Sequence, residues 1–264
     1  MTRPPTIAFA GASGWLGRFI GPGLLRAGVT DGAHFHALNR SGPSDDYAGW
    51  GISWHRALAD VPPPDVLVLS VRPADFRAAR FHCPDALVIS VMAGVLLAEL
   101  EAHTGSARII RALPNALVET ASSYTPWLAS PAVTEEDKAL ARDVFTGSGT
   151  EAEVPDEAAL DVLTTLSGAG PAYAALLARA LTRAGVEAGL APELAAGAAE
   201  NLVCAASAQL AGRIGQAPAV VQSFIDYEGV IAAGLRRMEA EGFDSAVAAG
   251  IRAALEKVQE MNRA

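Results

Sequence analysis

The chain has 264 residues, 51% of them hydrophobic and 19% charged, with a formal net charge of -9. That length lies near the upper limit of a single hydrophobic core, so two domains are expected. The acidic balance, with lysine only at Lys138 and Lys257, excludes the clustered cations that grip a nucleic-acid backbone. Cys83 and Cys204 are the two cysteines. Their separation rules out a Cys-x-x-Cys pair or a metal spacing, and both read as small buried apolar residues in a reducing compartment. The chain opens almost at once on an apolar run and has no uninterrupted apolar segment of membrane-spanning length, so a cytoplasmic protein without a membrane partner is expected.

First in chain order comes a short apolar strand at residues 6–10, which runs into Gly11-Ala12-Ser13-Gly14-Trp15-Leu16-Gly17 and then into an apolar helix. Strand, glycine turn and helix start in that order make a seat for a dinucleotide diphosphate. Gly11 lets the chain turn, Gly14 has no side chain to block the diphosphate, and Gly17 lets the helix pack closely on the sheet. Ser13, Trp15 and Leu16 complete the turn, and backbone N–H groups at the helix start face the anion. The first glycine interval is one residue longer than in Gly-x-Gly-x-x-Gly, so an ordinary strand-to-helix turn is the competing reading.

The second strand, residues 34–38, leads into Asn39-Arg40-Ser41. A carboxylate at this place would hold the ribose 2′-hydroxyl of NAD. None is present, and Arg40 with the Ser41 hydroxyl offers a charge-assisted site for a 2′-phosphate, so NADP(H) is preferred over NAD(H); an exposed loop arginine is the alternative. His34 and His36 share one face of this strand without a third ligand at metal spacing, which points to a structural role rather than a metal site. Further strands are read at 66–71, 87–91 and 109–113, alternating with helical stretches. This pattern predicts a Rossmann-type, doubly wound parallel sheet over residues 1–156. From Ala158 onward strand patterns stop and Ala/Leu-rich helices take over, one of them spanning about 193–213 with alanine on nearly every face. The fold class is therefore α/β, with an all-helical domain over 157–264 that covers its faces with a second copy of itself. A homodimer through that domain is expected, with further assembly of dimers left open.

Three strand ends and one helix carry a resemblance. They read Leu69-Ser70-Val71-Arg72-Pro73, Ile89-Ser90-Val91-Met92-Ala93-Gly94-Val95, Arg111-Ala112-Leu113-Pro114-Asn115 and Leu166-Ser167-Gly168-Ala169-Gly170-Pro171-Ala172-Tyr173. In this order, over almost the whole chain, they resemble the pyrroline-5-carboxylate reductase family, which shows Ala-Val-Lys-Pro, Ala-Gly-Val, Met-Pro-Asn and Leu-Ser-Gly-Ser-Gly-Pro-Ala-Tyr there. The resemblance implies a helical dimerisation domain and hydride transfer from a nicotinamide to a cyclic imine. It also implies a nicotinamide near Val71, Arg72, Pro73, Ala93, Gly94 and Asn115, with substrate held between the cofactor and helices of two subunits.

Where the family carries Thr-Ser-Pro-Gly-Gly-Thr-Thr at the start of a late helix, this chain has Ile225-Asp226-Tyr227-Glu228-Gly229-Val230-Ile231. In the family those hydroxyls and helix-start N–H groups bind the substrate carboxylate. Losing two hydrogen bonds to a charged group, each worth about 1.5–3 kcal/mol, would lower kcat/KM toward pyrroline-5-carboxylate on the order of a hundredfold to ten-thousandfold. Upstream, Glu200-Asn201 replaces Gln-Thr. The expected activity is NADPH-dependent reduction of a different small imine, with genuine pyrroline-5-carboxylate reduction or a non-catalytic NADP-binding protein as alternatives.

Hydride adds most readily to a protonated C=N nitrogen, and a nearby carboxylate favours that cation. Glu228 is the leading candidate for this role, Asp226 the second, and Tyr227 a proton donor; Glu228 can instead hold an amine or amidine on the substrate. Ser167, Asn201, Gly229 and Val230 are the candidate substrate-binding residues. The competing structural readings are N-terminal helix capping for Asp226, Glu228 and Ser167, core or interface packing for Tyr173, and a turn for Asn115. No lysine lies between residues 167 and 183, where hydroxyacid dehydrogenases of this architecture need one, and all five histidines precede the helical domain.

Overall fold

The computed structural model describes residues 3–263. By packing, the chain forms two compact units: one runs up to Gly170 and includes the end of the chain from Leu255, and the other is Pro171–Ala254.

The first unit is built on an eight-stranded sheet of order β3-β2-β1-β4-β5-β6-β7-β8. Five strands lie where apolar runs predict them: β1 (Ile7–Ala10), β2 (Phe35–Leu38), β4 (Val66–Leu69), β5 (Leu87–Ser90) and β6 (Ile109–Ala112). They pair in parallel and are buried along their whole length, because helices cover both faces. On one face Ile7, Phe9 and Phe35 meet Ile20 and Leu24 of α1 (Gly17–Arg26) and Phe145 of α4 (Glu135–Thr146). On the other, Ala8, Leu67 and Val88 meet Phe76 of α2 (Pro73–Ala78) and Leu100 of α3 (Leu97–Thr104).

Three strands carry no such run: β3 (Ser53–His55), β7 (Ser123–Ala129) and β8 (Gly149–Glu153). β7 pairs antiparallel with β6, so the sheet is mostly rather than wholly parallel. α5 (Glu157–Ser167) packs with this unit, its buried Leu160 lying against Leu113 and Leu128, which puts the packing division later than 156/157. His34 closes a 3₁₀ turn and pairs with Asp31 at 2.7 Å, so it does not share the strand with His36. His36 Nδ1 instead lies 3.0 Å from His55 Nε2.

Every regular element among the described residues of the second unit is helical, the longest being α6 (Ala172–Glu187), α7 (Pro192–Glu200), α8 (Ala217–Asp226), α9 (Val230–Ala240) and most of α10 (Phe243–Arg263). The long helix expected over 193–213 is α7 continued by a π turn at Asn201–Ala206 and a 3₁₀ turn at Ser207–Leu210. It ends at Leu210, where Ala211 leaves helical backbone with ψ 129° and Gly212 follows at φ 72°. Small residues allow α6 and α7 to approach closely: a Cβ on Gly185 would lie 2.9 Å from the Ala195 methyl. Cys83 is buried as expected, and its thiol pKa is pushed up to about 11 by burial. Cys204 is exposed, not buried. No described helix is long and apolar enough to cross a membrane.

Candidate cofactor-binding site

The glycine turn between β1 and α1 is shaped by crowding. Gly11 has φ 81°, and a Cβ there would stand 2.1 Å from the Ser70 carbonyl oxygen. A Cβ on Gly17 would come within 2.2 Å of the Gly11 carbonyl oxygen and 2.6 Å of that of Ala12, so this glycine seats the helix start on the turn itself. The Gly14 N–H donates to the Gly11 carbonyl at 2.9 Å. From below, buried Tyr47 donates its hydroxyl to the Gly17 carbonyl at 2.7 Å, with the Ala12 carbonyl at 3.2 Å. Burial drives the Tyr47 phenol pKa upward, which keeps it a donor. Leu16 caps α1 without a side-chain bond and no acid lies in the first turn, so the positive end of the helix dipole is left for an anion. Trp15 points outward and donates its indole N–H to Glu119 at 2.7 Å.

The carboxyl ends of β1, β2 and β4 open onto a cleft of about 760 Å³, at the point where strand order reverses beside β1. Parallel sheets bind ligands at such a place. The cleft brings together Gly11, Ser13, Gly14, Asn39, Arg40, Val71 and Arg72 from the residues expected to bind cofactor. Its walls also carry Arg56, Ser70, Asp75, Arg80 and His82, which sequence reasoning missed. Arg56 follows β3, a strand too short to be seen as a pattern. Four arginines therefore face one acid. Arg72 donates to Asp75 at 2.7 Å and Arg40 lies 3.1 Å from the other carboxylate oxygen. The Arg72 hydrogen bond, aided by Arg40 and opposed by burial, holds the Asp75 carboxyl below its usual range. Asn39 donates to Ser41 Oγ at 3.0 Å and to the Gly42 carbonyl at 2.9 Å, so it shapes the turn that presents Arg40.

Trp15, Leu16, Ser41, Pro73, Ala93, Gly94 and Asn115 do not line this cleft. Pro73 opens α2, and Ala93 and Gly94 lie in the loop after β5, with Gly94 at φ 73°. Asn115 is buried and committed to structure: its amide donates to the Ser167 carbonyl at 2.9 Å and its oxygen accepts from Leu117 N–H at 3.0 Å. Ser167 ends α5 and donates back to the Leu163 carbonyl at 2.9 Å, so it is not an N-cap.

In the helical unit, Asp226, Tyr227, Glu228, Gly229 and Val230 form one corner between α8 and α9. Asp226 is the last residue of α8, where it accepts from Gln222 at 2.7 Å; it cannot cap a helix start because the helix ends there. Tyr227 and Val230 are 83% and 87% exposed. Glu228 has φ 56°, a conformation costing a non-glycine residue about 1–3 kcal/mol. Gly229, in extended backbone, precedes α9 without a side-chain cap, so neither acid is the N-cap. Asn201 stands apart, exposed at the start of the π turn.

Residues 157–261 match the family described as pyrroline-5-carboxylate reductase dimerisation. The chain is 30% identical to the pyrroline-5-carboxylate reductase of Pseudomonas aeruginosa over 97% of both chains. It belongs to the pyrroline-5-carboxylate reductase family. Among solved structures, the pyrroline-5-carboxylate reductase of Coxiella burnetii is 26% identical and superposes with a TM-score of 0.84 over 98% of this chain and 99% of that one. The Plasmodium falciparum pyrroline carboxylate reductase, solved with NADP bound, shares the fold at 22% identity, with a TM-score of 0.78 over 99% of this chain and 100% of that one.

Proposed function

We propose that this member of the pyrroline-5-carboxylate reductase family reduces the C=N bond of a small cyclic imine with NADPH, as a homodimer joined through its helical unit. The cleft of about 760 Å³ at the carboxyl ends of β1, β2 and β4 carries the reading. Its size and donor set suit a dinucleotide: a glycine turn over an uncapped helix start for the diphosphate, and cationic walls for a further phosphate. Ser13 and Gly14 would hold the diphosphate, Arg40 with Asn39 and Ser41 the 2′-phosphate, and Val71, Arg72, Pro73, Ala93 and Gly94 the nicotinamide end. When bound, NADPH supplies the hydride. Glu228 favours the protonated imine by its charge, and Tyr227 is placed beside it in sequence to donate a proton. The family's dimerisation match and the exposed apolar side chains of the helical unit support the homodimer.

Val230 and Ile231, exposed at the start of α9, have no hydroxyl to offer a substrate carboxylate, which supports an imine less anionic than pyrroline-5-carboxylate. Pyrroline-5-carboxylate itself is the second reading, supported by relatives of that name over nearly the full chain. NADPH oxidation with cyclic imines bearing and lacking a carboxylate separates the two. Fastest turnover of an uncharged imine, reduced in Glu228→Gln, supports the first; pyrroline-5-carboxylate as best substrate supports the second; tight NADPH binding without turnover of any imine removes both.

A further inference from the structure

The loop after β5, residues 93–97, is gripped from three sides. Arg77, paired with Glu99, reaches the Gly94 carbonyl at 3.4 Å. The Leu97 N–H donates to Glu157 Oε1 at 2.9 Å. The end of α10 lies against Gly94: a Cβ built there would stand 3.6 Å from Cβ, Cε and the carbonyl oxygen of Met261. Gly94, with Met261 as its neighbour, has a left-handed backbone at φ 73°.

The next residue, Asn262, is tied to the same loop by a part-buried polar relay. Its amide donates to Asp161 Oδ2 at 2.7 Å, and Asp161 Oδ1 lies 3.8 Å from Arg111 Nη2. Arg111 Nη1 donates to Glu157 Oε1 at 3.3 Å, the same oxygen that receives the Leu97 N–H. Arg111 is fully buried in β6, with Nε and Nη2 lacking a hydrogen-bond partner. Burial lowers the Arg111 pKa and raises that of Asp161, so each charge depends on the other's position. Asp161 Oδ1 and Asn262 Oδ1 also lack a hydrogen-bond partner, so these charges are held in place by packing and by one another, and the relay connects Asn262 to the loop.

We infer that the end of α10 is a latch on the 93–97 loop, in which Met261 and Asn262 are positioning residues for hydride transfer. This rests on the reading that Ala93 and Gly94 flank the nicotinamide. The glycine turn and the arginine-lined cleft, which hold the rest of the dinucleotide, lie on other segments, so the latch bears on alignment more than on affinity. In Met261→Ala and Asn262→Ala of the full chain, kcat should fall roughly tenfold to a hundredfold, the cost of a small misplacement of reacting atoms. KM for NADPH should stay within about twofold of wild type, the mark of an interaction felt in the transition state. The isotope effect with deuterated NADPH should rise, and Met261→Leu should restore kcat. An unchanged kcat and isotope effect, or parallel losses of affinity and thermal stability that Met261→Leu does not restore, overturns the latch. Amide exchange at residues 95–97 needs no turnover and keeps the two readings apart. It should quicken in both alanine variants while exchange at 11–17 does not, and unchanged exchange overturns the latch. Wild-type failure on every imine would remove the proposed reaction, and the exchange result alone would then decide the latch.

Discussion

The two units differ in where their apolar side chains find cover. In the first, Phe9, Phe35, Phe76 and Trp127 are fully buried, and even Arg111 is sealed from solvent. In the second, α6, α8 and the described part of α10 bury no residue, and the buried side chains of Pro171–Ala254 are three alanines, Ala195, Ala199 and Ala232. Leu194, Ile214 and Phe224 are 66%, 72% and 50% exposed. The sheet unit thus completes its core within one chain. The helical unit carries apolar surface that one chain leaves open, as expected of a unit whose native neighbours include a second copy.

Trp127 and Phe224 offer the strongest test of that contrast. Trp127→Ala should cost about 3–5 kcal/mol in chemical denaturation of the full chain, since its ring is wholly enclosed. Phe224→Glu should alter the core little and, on the proposed homodimer, shift the protein toward monomer in sedimentation, because a charge on this half-exposed apolar surface would be left unpaired under a second copy. A Phe224→Glu protein with the wild-type mass would break the comparison. Next in size is Gly17→Ala. Its added methyl meets two fixed carbonyls, so overpacking of about 1–3 kcal/mol should accompany loss of NADPH binding measured by fluorescence.

What could be read before the structure follows the range of the forces involved. Val66–Leu69 and Leu87–Ser90 announce themselves because a strand buried on both faces needs an unbroken apolar run. β3 has three half-buried residues, β7 carries a proline at Pro126, and β8 is a polar edge strand, so none shows a period. The glycine turn is legible because its constraints are local. Arg56, Asp75 and Arg80 are not, since their meeting in one cleft depends on how separate segments return to the sheet edge. The corner at Asp226 misleads for a related reason. Two acids before an apolar run look like a helix start, but Asp226 closes α8 and Glu228 turns the chain in a left-handed conformation ahead of Gly229, which precedes α9.

Arg40→Ala sharpens the comparison at the cleft. Its loss removes a charge-assisted contact worth about 1.5–3 kcal/mol to a 2′-phosphate, so NADPH should weaken roughly tenfold to a hundredfold. NADH should be almost unaffected. Equal weakening of both cofactors in calorimetry would place the 2′-phosphate elsewhere, with Arg56, Arg72 and Arg80 the remaining arginines of the cleft.

The smallest effect concerns the sheet edge that carries Arg56. His36 and His55 share a hydrogen bond of 3.0 Å between adjacent strands, which requires that one of the two nitrogens lack a proton. Burial first, then the charges of His55 and His34, hold the His36 pKa below 6.5. His34 faces Asp31 across 2.7 Å. Because the unfolded chain takes up a proton on His36 more readily than the folded one, this group's contribution is complete above pH 6.5 and declines as pH falls through the lower folded value. The expected sign is a loss of stability as pH falls from 7 toward 5. Urea denaturation of wild type and His36→Leu over this range should show a steeper decline in wild type. Parallel profiles would mean that the imidazole pair holds β2 and β3 together no differently once protonated.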